Sequence, residues 1–76
     1  MFYTNLKGNL EALLFVNGDP LSLKRIAEIL EVDQENVKLL LAQLIQDMNQ
    51  QERGLTIIEV AGGYQLCTKP HLAGFL

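Results

Sequence analysis

Apolar residues between positions 34 and 51 have the clearest helical spacing in the chain, and this segment constrains the fold most. They recur at i, i+3, i+4, i+7, i+8 and i+11, which places them on one face of a helix: Val37, Leu40, Leu41, Leu44, Ile45 and Met48. Asp33 can cap this helix, and Glu35 in its first turn lies near the positive end of the helix dipole. We therefore predict a helix from Gln34 to about Gln51 with one buried face.

Two shorter helices are predicted before this one, with a turn between them. The first runs from about Asn5 to Val16, and the second covers Leu23–Glu31 with Ser22 as its N-cap. Between them, the sequence Asn-Gly-Asp-Pro at positions 17–20 has the composition of a turn. The first three elements of the chain are therefore predicted to be helices.

A two-stranded hairpin is predicted after the helices. Leu55–Val60 is rich in Ile and Val, and Tyr64–Thr68 returns as the second strand. The turn is Ala61-Gly62-Gly63, in which Gly-Gly at the centre of a two-residue loop is a strong hairpin signal. Three helices followed by such a hairpin predict an α+β, mainly α fold of the winged helix-turn-helix type, with the hairpin as the wing.

The charge balance argues against the usual partner of that fold. The third helix of such a domain usually enters a groove of DNA, but here it carries Lys38 against Glu35 and Asp47. Six Lys+Arg and nine Asp+Glu give a formal net charge of −3, whereas nucleic-acid affinity depends largely on cations that neutralise phosphates. We expect the scattered cations to be solvated surface residues: Lys7, Lys24, Arg25, Lys38, Arg53 and Lys69. This pattern favours protein–protein interaction.

A DNA-binding transcription regulator is the alternative function, because winged helices often bind DNA. It would place Lys38 and Arg53 near phosphates, and Gln43, Gln46 or Gln50 over bases, since an amide side chain can pair with adenine in the major groove. Duplex affinity that falls steeply with salt would identify such a protein.

The first predicted helix is apolar around most of its circumference, which is typical of a helix shared with another chain. The residues predicted to mediate self-association are Leu6, Leu10, Phe15 and Val16, together with the preceding Met1, Phe2 and Tyr3. The alternative is that these side chains complete the core of the monomer. On the hairpin, Tyr64 is a candidate aromatic anchor for a partner, with packing of the hairpin onto the helices as its alternative.

No constellation of residues predicts a catalytic, metal or cofactor site. His71 is the only histidine and Cys67 the only cysteine, whereas a metal site needs several converging ligands. A hydrolytic site needs a nucleophile, a base and an orienting group. A single cysteine excludes an intramolecular disulfide, as is usual in a reducing cytoplasm. The longest apolar run, Ala12–Val16, is far below the ~20 residues of a membrane span, and no signal peptide is visible. We expect a soluble, cytoplasmic, non-enzymatic domain.

Two segments of the chain resemble a known bacterial family. They are LEALLFVNGDPLS at positions 10–22 and GLTIIEVAGGYQLCTKP at positions 54–70. They are similar to two signatures of segregation and condensation protein B, a helix that ends in EALLF(V)xGxPLS and a hairpin GLxxxEVAGGYxLxTKP. The second signature is the more specific, and the segment between them follows the family mainly in its pattern. The resemblance covers nearly the whole chain.

This resemblance implies a non-enzymatic subunit of the bacterial SMC–kleisin condensin complex, which acts in chromosome condensation and segregation. Members of the family have two winged-helix domains, form homodimers through the N-terminal one, and bind the kleisin subunit, ScpA, which connects them to SMC. The 76 residues resemble the first domain, and their apolar ending at positions 72–76 predicts a fragment of a longer protein. By this analogy we expect a cytoplasmic, nucleoid-associated protein with no cofactor and no membrane, small-molecule or direct nucleic-acid partner.

Overall fold

The computed structural model describes residues 5–50 and 52–69, in which three helices precede a two-stranded antiparallel hairpin. The elements are α1 (Leu6–Val16), α2 (Leu23–Leu30), α3 (Gln34–Met48), β1 (Leu55–Val60) and β2 (Gly63–Thr68). The predicted mainly helical α+β fold of the winged helix-turn-helix type is confirmed. The predicted bounds lie close to those observed. α2 ends one residue earlier than predicted, β2 begins one residue earlier, and α3 ends at Met48 and not near Gln51.

Each helix begins at a polar side chain that caps it. The side-chain oxygens of Asn5, Ser22 and Asp33 accept hydrogen bonds from the backbone N–H three residues further on, at 3.3, 3.1 and 2.8 Å. These bonds satisfy N–H groups that have no partner inside the helix. After α2, Glu31 adopts a left-handed conformation with φ of 60°, which ends the helix just before the next cap.

The core lies where the three helices meet the inner face of the hairpin. Leu10 of α1, Ile26 of α2 and Val37 of α3 have no exposed surface. Each large apolar side chain buried in this way stabilises the fold by about 1.5–3 kcal/mol relative to leaving it exposed. The buried apolar cluster consists of Leu10, Leu14, Ile26, Ala27, Leu30, Val37, Leu41, Leu44, Met48 and Ile57.

The hairpin turn lies one residue earlier than predicted. Gly63 already pairs with β1, so the two-residue loop is Ala61-Gly62 and not Gly62-Gly63. The φ angles of 53° at Ala61 and 76° at Gly62 match a type I′ turn, whose twist suits a two-residue hairpin loop. This register pairs Ile57 with Leu66 on the face that packs against the core. A shift of one residue would break that match.

A strand-like contact joins the hairpin to the segment between α1 and α2. The backbone N–H of Tyr64 donates to the carbonyl oxygen of Leu21 at 2.7 Å, and the N–H of Leu21 donates to the carbonyl oxygen of Tyr64 at 3.0 Å. Gly63 lies against the same backbone, because a Cβ there would come within 2.9 Å of the carbonyl carbon and oxygen of Leu21. Gly63 is thus required for close approach of two chain segments and not for the turn.

Some of the sequence-based predictions fall outside the described residues. These are the predictions for Met1, Phe2, Tyr3, Gln51 and His71. Among the residues that the structure does describe, no helix has the length and apolar character needed to cross a membrane.

Candidate protein-binding surface

Two large apolar side chains project from the C-terminal end of α1. Phe15 is 73% exposed and Val16 is 75% exposed. The buried face of the same helix is formed by Leu10 and Leu14, which pack into the core. Phe15 and Val16 therefore lie outside the core of the described domain, and adjacent exposed side chains of this size are typical of an interaction surface.

The structure divides the four residues that were predicted to mediate self-association. Phe15 and Val16 lie on the surface and Leu6 is half-buried. Leu10 has no exposed area and lies in the core, so the prediction for Leu10 is corrected: it completes the monomer and has no surface to offer a second chain. Self-association through Leu6, Phe15 and Val16 stays a prediction.

An apolar groove separates α1 from the open end of the hairpin. It consists of two adjoining hollows of about 290 and 240 Å³, and Phe15, Leu55 and Leu66 line both of them. The larger hollow opens at the edge of β2 beside Cys67 and Thr68, and no charged side chain lines it. This groove was not predictable from the sequence, because its walls come from elements far apart in the chain. Grooves with apolar walls beside a sheet edge can bind polypeptide segments.

Tyr64 is half-buried and packs against the core, while its backbone is paired with Leu21. This packing agrees with the alternative stated for it, attachment of the hairpin to the helices. Contact between Tyr64 and a partner stays a prediction. The exposed apolar side chains of the hairpin are instead Leu55, Ile58 and Val60, at 36%, 41% and 39% exposure. Ile58 and Val60 project from the opposite face of β1 to the buried Ile57, because successive side chains of a strand alternate between faces.

The two cations that the DNA-binding alternative requires are each paired with a carboxylate. Lys38 Nζ lies 3.4 Å from Oε1 of Glu35 on the same helix, and Arg53 Nη2 lies 3.8 Å from Oε2 of Glu11 on α1. Both pairs are exposed, so they add little to stability. Each nevertheless offsets a charge that binding to phosphate would use. Within the described residues, α3 therefore presents no cationic patch that could anchor DNA.

Lys69 departs from the expectation that the cations are solvated. Its side chain is buried, and Nζ donates a hydrogen bond of 2.7 Å to the backbone carbonyl of Gln50, just beyond α3. Its backbone N–H donates to the carbonyl of Gly54 at 3.0 Å. A lysine near a helix C-terminus stabilises carbonyl groups that have no partner in the helix. Lys69 thus joins the end of the hairpin to the end of α3.

The described residues contain no group of three or more His, Cys, Asp or Glu side chains that could hold a metal ion. Cys67 is a free, half-buried thiol at the groove, and the hydroxyl of Ser22 serves as a helix cap. The fold and its surface define a class of protein: a small winged-helix domain that, in the part described, has exposed apolar side chains and no cationic patch on α3, and is suited to binding other polypeptides.

Comparison with known proteins identifies the family. Residues 8–76 match the family model of the segregation and condensation complex subunit ScpB, and the chain belongs to that family. The segregation and condensation proteins B of Symbiobacterium thermophilum and Moorella thermoacetica are 43% and 46% identical to it, over 76 and 74 residues. The alignments cover 100% and 97% of this chain but 35% and 38% of the relatives. The chain thus spans somewhat more than a third of the length of these relatives.

A solved structure agrees with this assignment. The chain matches a crystal structure described as a dimer of the ScpB N-terminal domain complexed with ScpA peptide, with a TM-score of 0.92 and 40% sequence identity. The match covers 96% of this chain and 85% of the other. The family inferred from the two sequence signatures is therefore confirmed.

Proposed function

We propose that this chain is the N-terminal winged-helix domain of a two-domain ScpB-type subunit. It acts in chromosome condensation and segregation by pairing with a second copy and by binding the kleisin ScpA, through which it joins SMC. The observation that carries this proposal is the likeness to the solved ScpB N-terminal domain, which is a dimer in complex with ScpA peptide. At 40% identity and a TM-score of 0.92, that likeness supports shared partners as well as a shared fold.

The exposed end of α1 supports the pairing of two copies. Phe15 and Val16, with the half-buried Leu6, lie on the first helix. Removing apolar area from water contributes about 25 cal/mol per Å², and this gain must exceed the loss of translational and rotational freedom on association. The helix already orders the backbone of Phe15 and Val16, and their side chains have few rotatable bonds, so pairing costs little further freedom and this surface favours a second copy.

The proposed activity is non-enzymatic and takes place in the cytoplasm, at the nucleoid through the assembled complex. Apolar surface and a peptide partner suffice for it, and neither a cofactor nor a bound small molecule is part of the proposal. The pairing of Lys38 with Glu35 and of Arg53 with Glu11 weakens the DNA-binding alternative. Contact with the chromosome is therefore proposed to run through ScpA and SMC.

Two measurements test the proposed function. Light scattering behind a sizing column, at two loading concentrations, should give a mass near twice the 8.5 kDa of the chain. Calorimetric titration with purified ScpA of the same organism should show saturable binding. A mass of one chain at both concentrations would contradict self-association by this domain. An absence of heat with ScpA at two well-separated temperatures, from chain shown to be folded by circular dichroism, would contradict kleisin binding, because apolar burial changes the binding enthalpy with temperature.

A further inference from the structure

The outer edge of β2 carries backbone groups that no described residue uses. In an antiparallel pair, residues alternate between those bonded to the partner strand and those whose N–H and C=O point away from it. Tyr64 directs both groups away from β1, since it bonds with Leu21 on that side. Leu66 and Thr68 follow at intervals of two residues and point the same way. No backbone hydrogen bond among the described residues engages them on this edge.

This free edge faces the apolar groove. Leu66 and Thr68 line the larger hollow, and Phe15 and Leu14 of α1 form its opposite side. A chain segment placed beside β2 would thus find backbone donors and acceptors that no described residue engages, next to apolar walls. If the segment is extended, its backbone can form hydrogen bonds with these donors and acceptors. Every second side chain then points at α1 and fills the groove.

The other edge of the hairpin lacks the second of these features, the apolar walls, at Ile57 and Glu59. Ile57 and Glu59 of β1 also direct their N–H and C=O groups outward, because their partners Leu66 and Tyr64 belong to the pairs without mutual backbone bonds. Neither of them lines the groove, and of the outward-facing residues of β1 it is Leu55, at the open end of the hairpin, that does so. A segment that added beside Ile57 and Glu59 would gain backbone bonds there but would not fill the groove below α1. The geometry thus favours the β2 edge and supplies a matched control on β1.

We infer that the edge of β2 at Leu66 and Thr68 binds an extended segment of the partner polypeptide, which adds to the sheet as a strand and continues the line that Leu21 begins. This inference rests on the proposed function, which supplies a peptide partner in ScpA. The segment has alternating apolar and polar side chains. The apolar set packs against Phe15 and Leu55, and the polar set faces water. The lining of the larger hollow carries no charge, so the segment needs no charged side chain on its buried face.

Amide hydrogen exchange of the 76-residue chain, followed by NMR, tests this inference. The probes are overlapping synthetic peptides that together cover ScpA of the same organism, and binding is first established by titration. With the binding peptide at saturation, the amides of Leu66 and Thr68 should exchange at least about tenfold more slowly, because each gains a hydrogen-bond partner. The outward amides of Ile57 and Glu59, on the opposite edge of the same sheet, should exchange at unchanged rates.

Each other outcome overturns the inference in a distinguishable way. Binding with unchanged exchange at Leu66 and Thr68 would exclude this edge and leave the proposed function standing. Binding by intact ScpA but by no ScpA peptide would overturn the inference alone, and binding by neither would overturn kleisin binding as well. Protection at the two amides without peptide, rising with chain concentration, would assign the edge to a second copy of the chain.

A pair of proline variants provides an independent measurement. Thr68→Pro removes an outward N–H on the groove edge, and Glu59→Pro removes one on the opposite edge. Neither N–H serves the bonds between β1 and β2, and edge positions tolerate proline. We expect Thr68→Pro to weaken binding of the peptide by roughly tenfold or more, while Glu59→Pro leaves the affinity unchanged. Equal effects of the two variants on the affinity would contradict strand addition at β2. If Thr68→Pro does not fold, amide exchange in the unsubstituted chain decides whether the peptide adds at β2.

Discussion

Leu21 and Tyr64 exchange two backbone hydrogen bonds, of 2.7 and 3.0 Å, although they lie in segments far apart in the sequence. This single bridge fixes the hairpin against the segment that leads into α2. It also determines which part of the outer edge of β2 is already hydrogen-bonded and which part stays open beside α1. The close approach depends on Gly63, where a side chain would meet the backbone of Leu21 at 2.9 Å.

We predict that Gly63→Ala destabilises the domain. The added Cβ would contact backbone atoms of Leu21, which cannot rotate away as a flexible side chain could, and overpacking of this kind costs about 1–3 kcal/mol. Gly18→Ala is the matched control, because a Cβ at Gly18 meets no atom within 4 Å. At a compatible backbone conformation, alanine in place of glycine stabilises by about 0.4–1 kcal/mol. Thermal unfolding of both variants gives the comparison, and a Gly63→Ala variant as stable as Gly18→Ala would refute the role assigned to Gly63.

The same region shows what sequence alone could and could not predict. The caps at Ser22 and Asp33 were predictable because they depend on bonds to residues three positions away. The hairpin was predictable in kind, but Ala-Gly-Gly allows either of two loops, and only the register with the core decides between them. The role of Gly63 was not predictable, because it depends on contact with Leu21 across the fold.

The candidate binding surface was also only partly predictable from the sequence. Periodicity marked α1 as unusually apolar, yet it could not separate the buried Leu10 from the exposed Phe15 and Val16, since that requires knowing which side of α1 faces α3. The groove and the free edge of β2 arise from the relative placement of helix and hairpin, for which a single sequence carries no direct signal. Charges were also misassigned where tertiary contacts matter, as the burial of Lys69 shows.

We predict that Lys69→Met destabilises the domain even though methionine has a similar length. The variant removes the hydrogen bond from Nζ to the carbonyl of Gln50, and bonds that involve a charged group are worth about 1.5–3 kcal/mol. Because the side chain of Lys69 is buried, the apolar contacts of the methionine offset part of this loss. Lys24→Met is the control, since Lys24 is exposed and substitutions at such sites change stability by less than about 0.5 kcal/mol. Urea denaturation measures both, and equal midpoints would show that the Lys69 bond contributes nothing.

We predict that the chain does not bind duplex DNA, even at low salt. Its net charge is −3, and Lys38 and Arg53 are paired with carboxylates, so few counterions would be released from the duplex. Fluorescence anisotropy of a labelled duplex, at two salt concentrations, measures this. Binding that weakens steeply with salt and is lost on replacing Lys38 and Arg53 by alanine would instead support the DNA-binding regulator.

We predict that Phe15→Asp abolishes self-association and leaves the monomer folded. Phe15 is 73% exposed, so the monomer loses less than about 1 kcal/mol, chiefly because an acid in the last turn opposes the helix dipole. In a dimer the same carboxylate would be buried without a partner, which is costly. Val16→Asp should lower the measured mass in the same way without changing the groove, because Val16 does not line it. Leu10→Ala should instead destabilise the domain by about 2–5 kcal/mol, because it truncates a core side chain. Light scattering and thermal unfolding of the three variants separate these effects. A Phe15→Asp chain that stays dimeric places the interface elsewhere, and one that unfolds assigns Phe15 to the core.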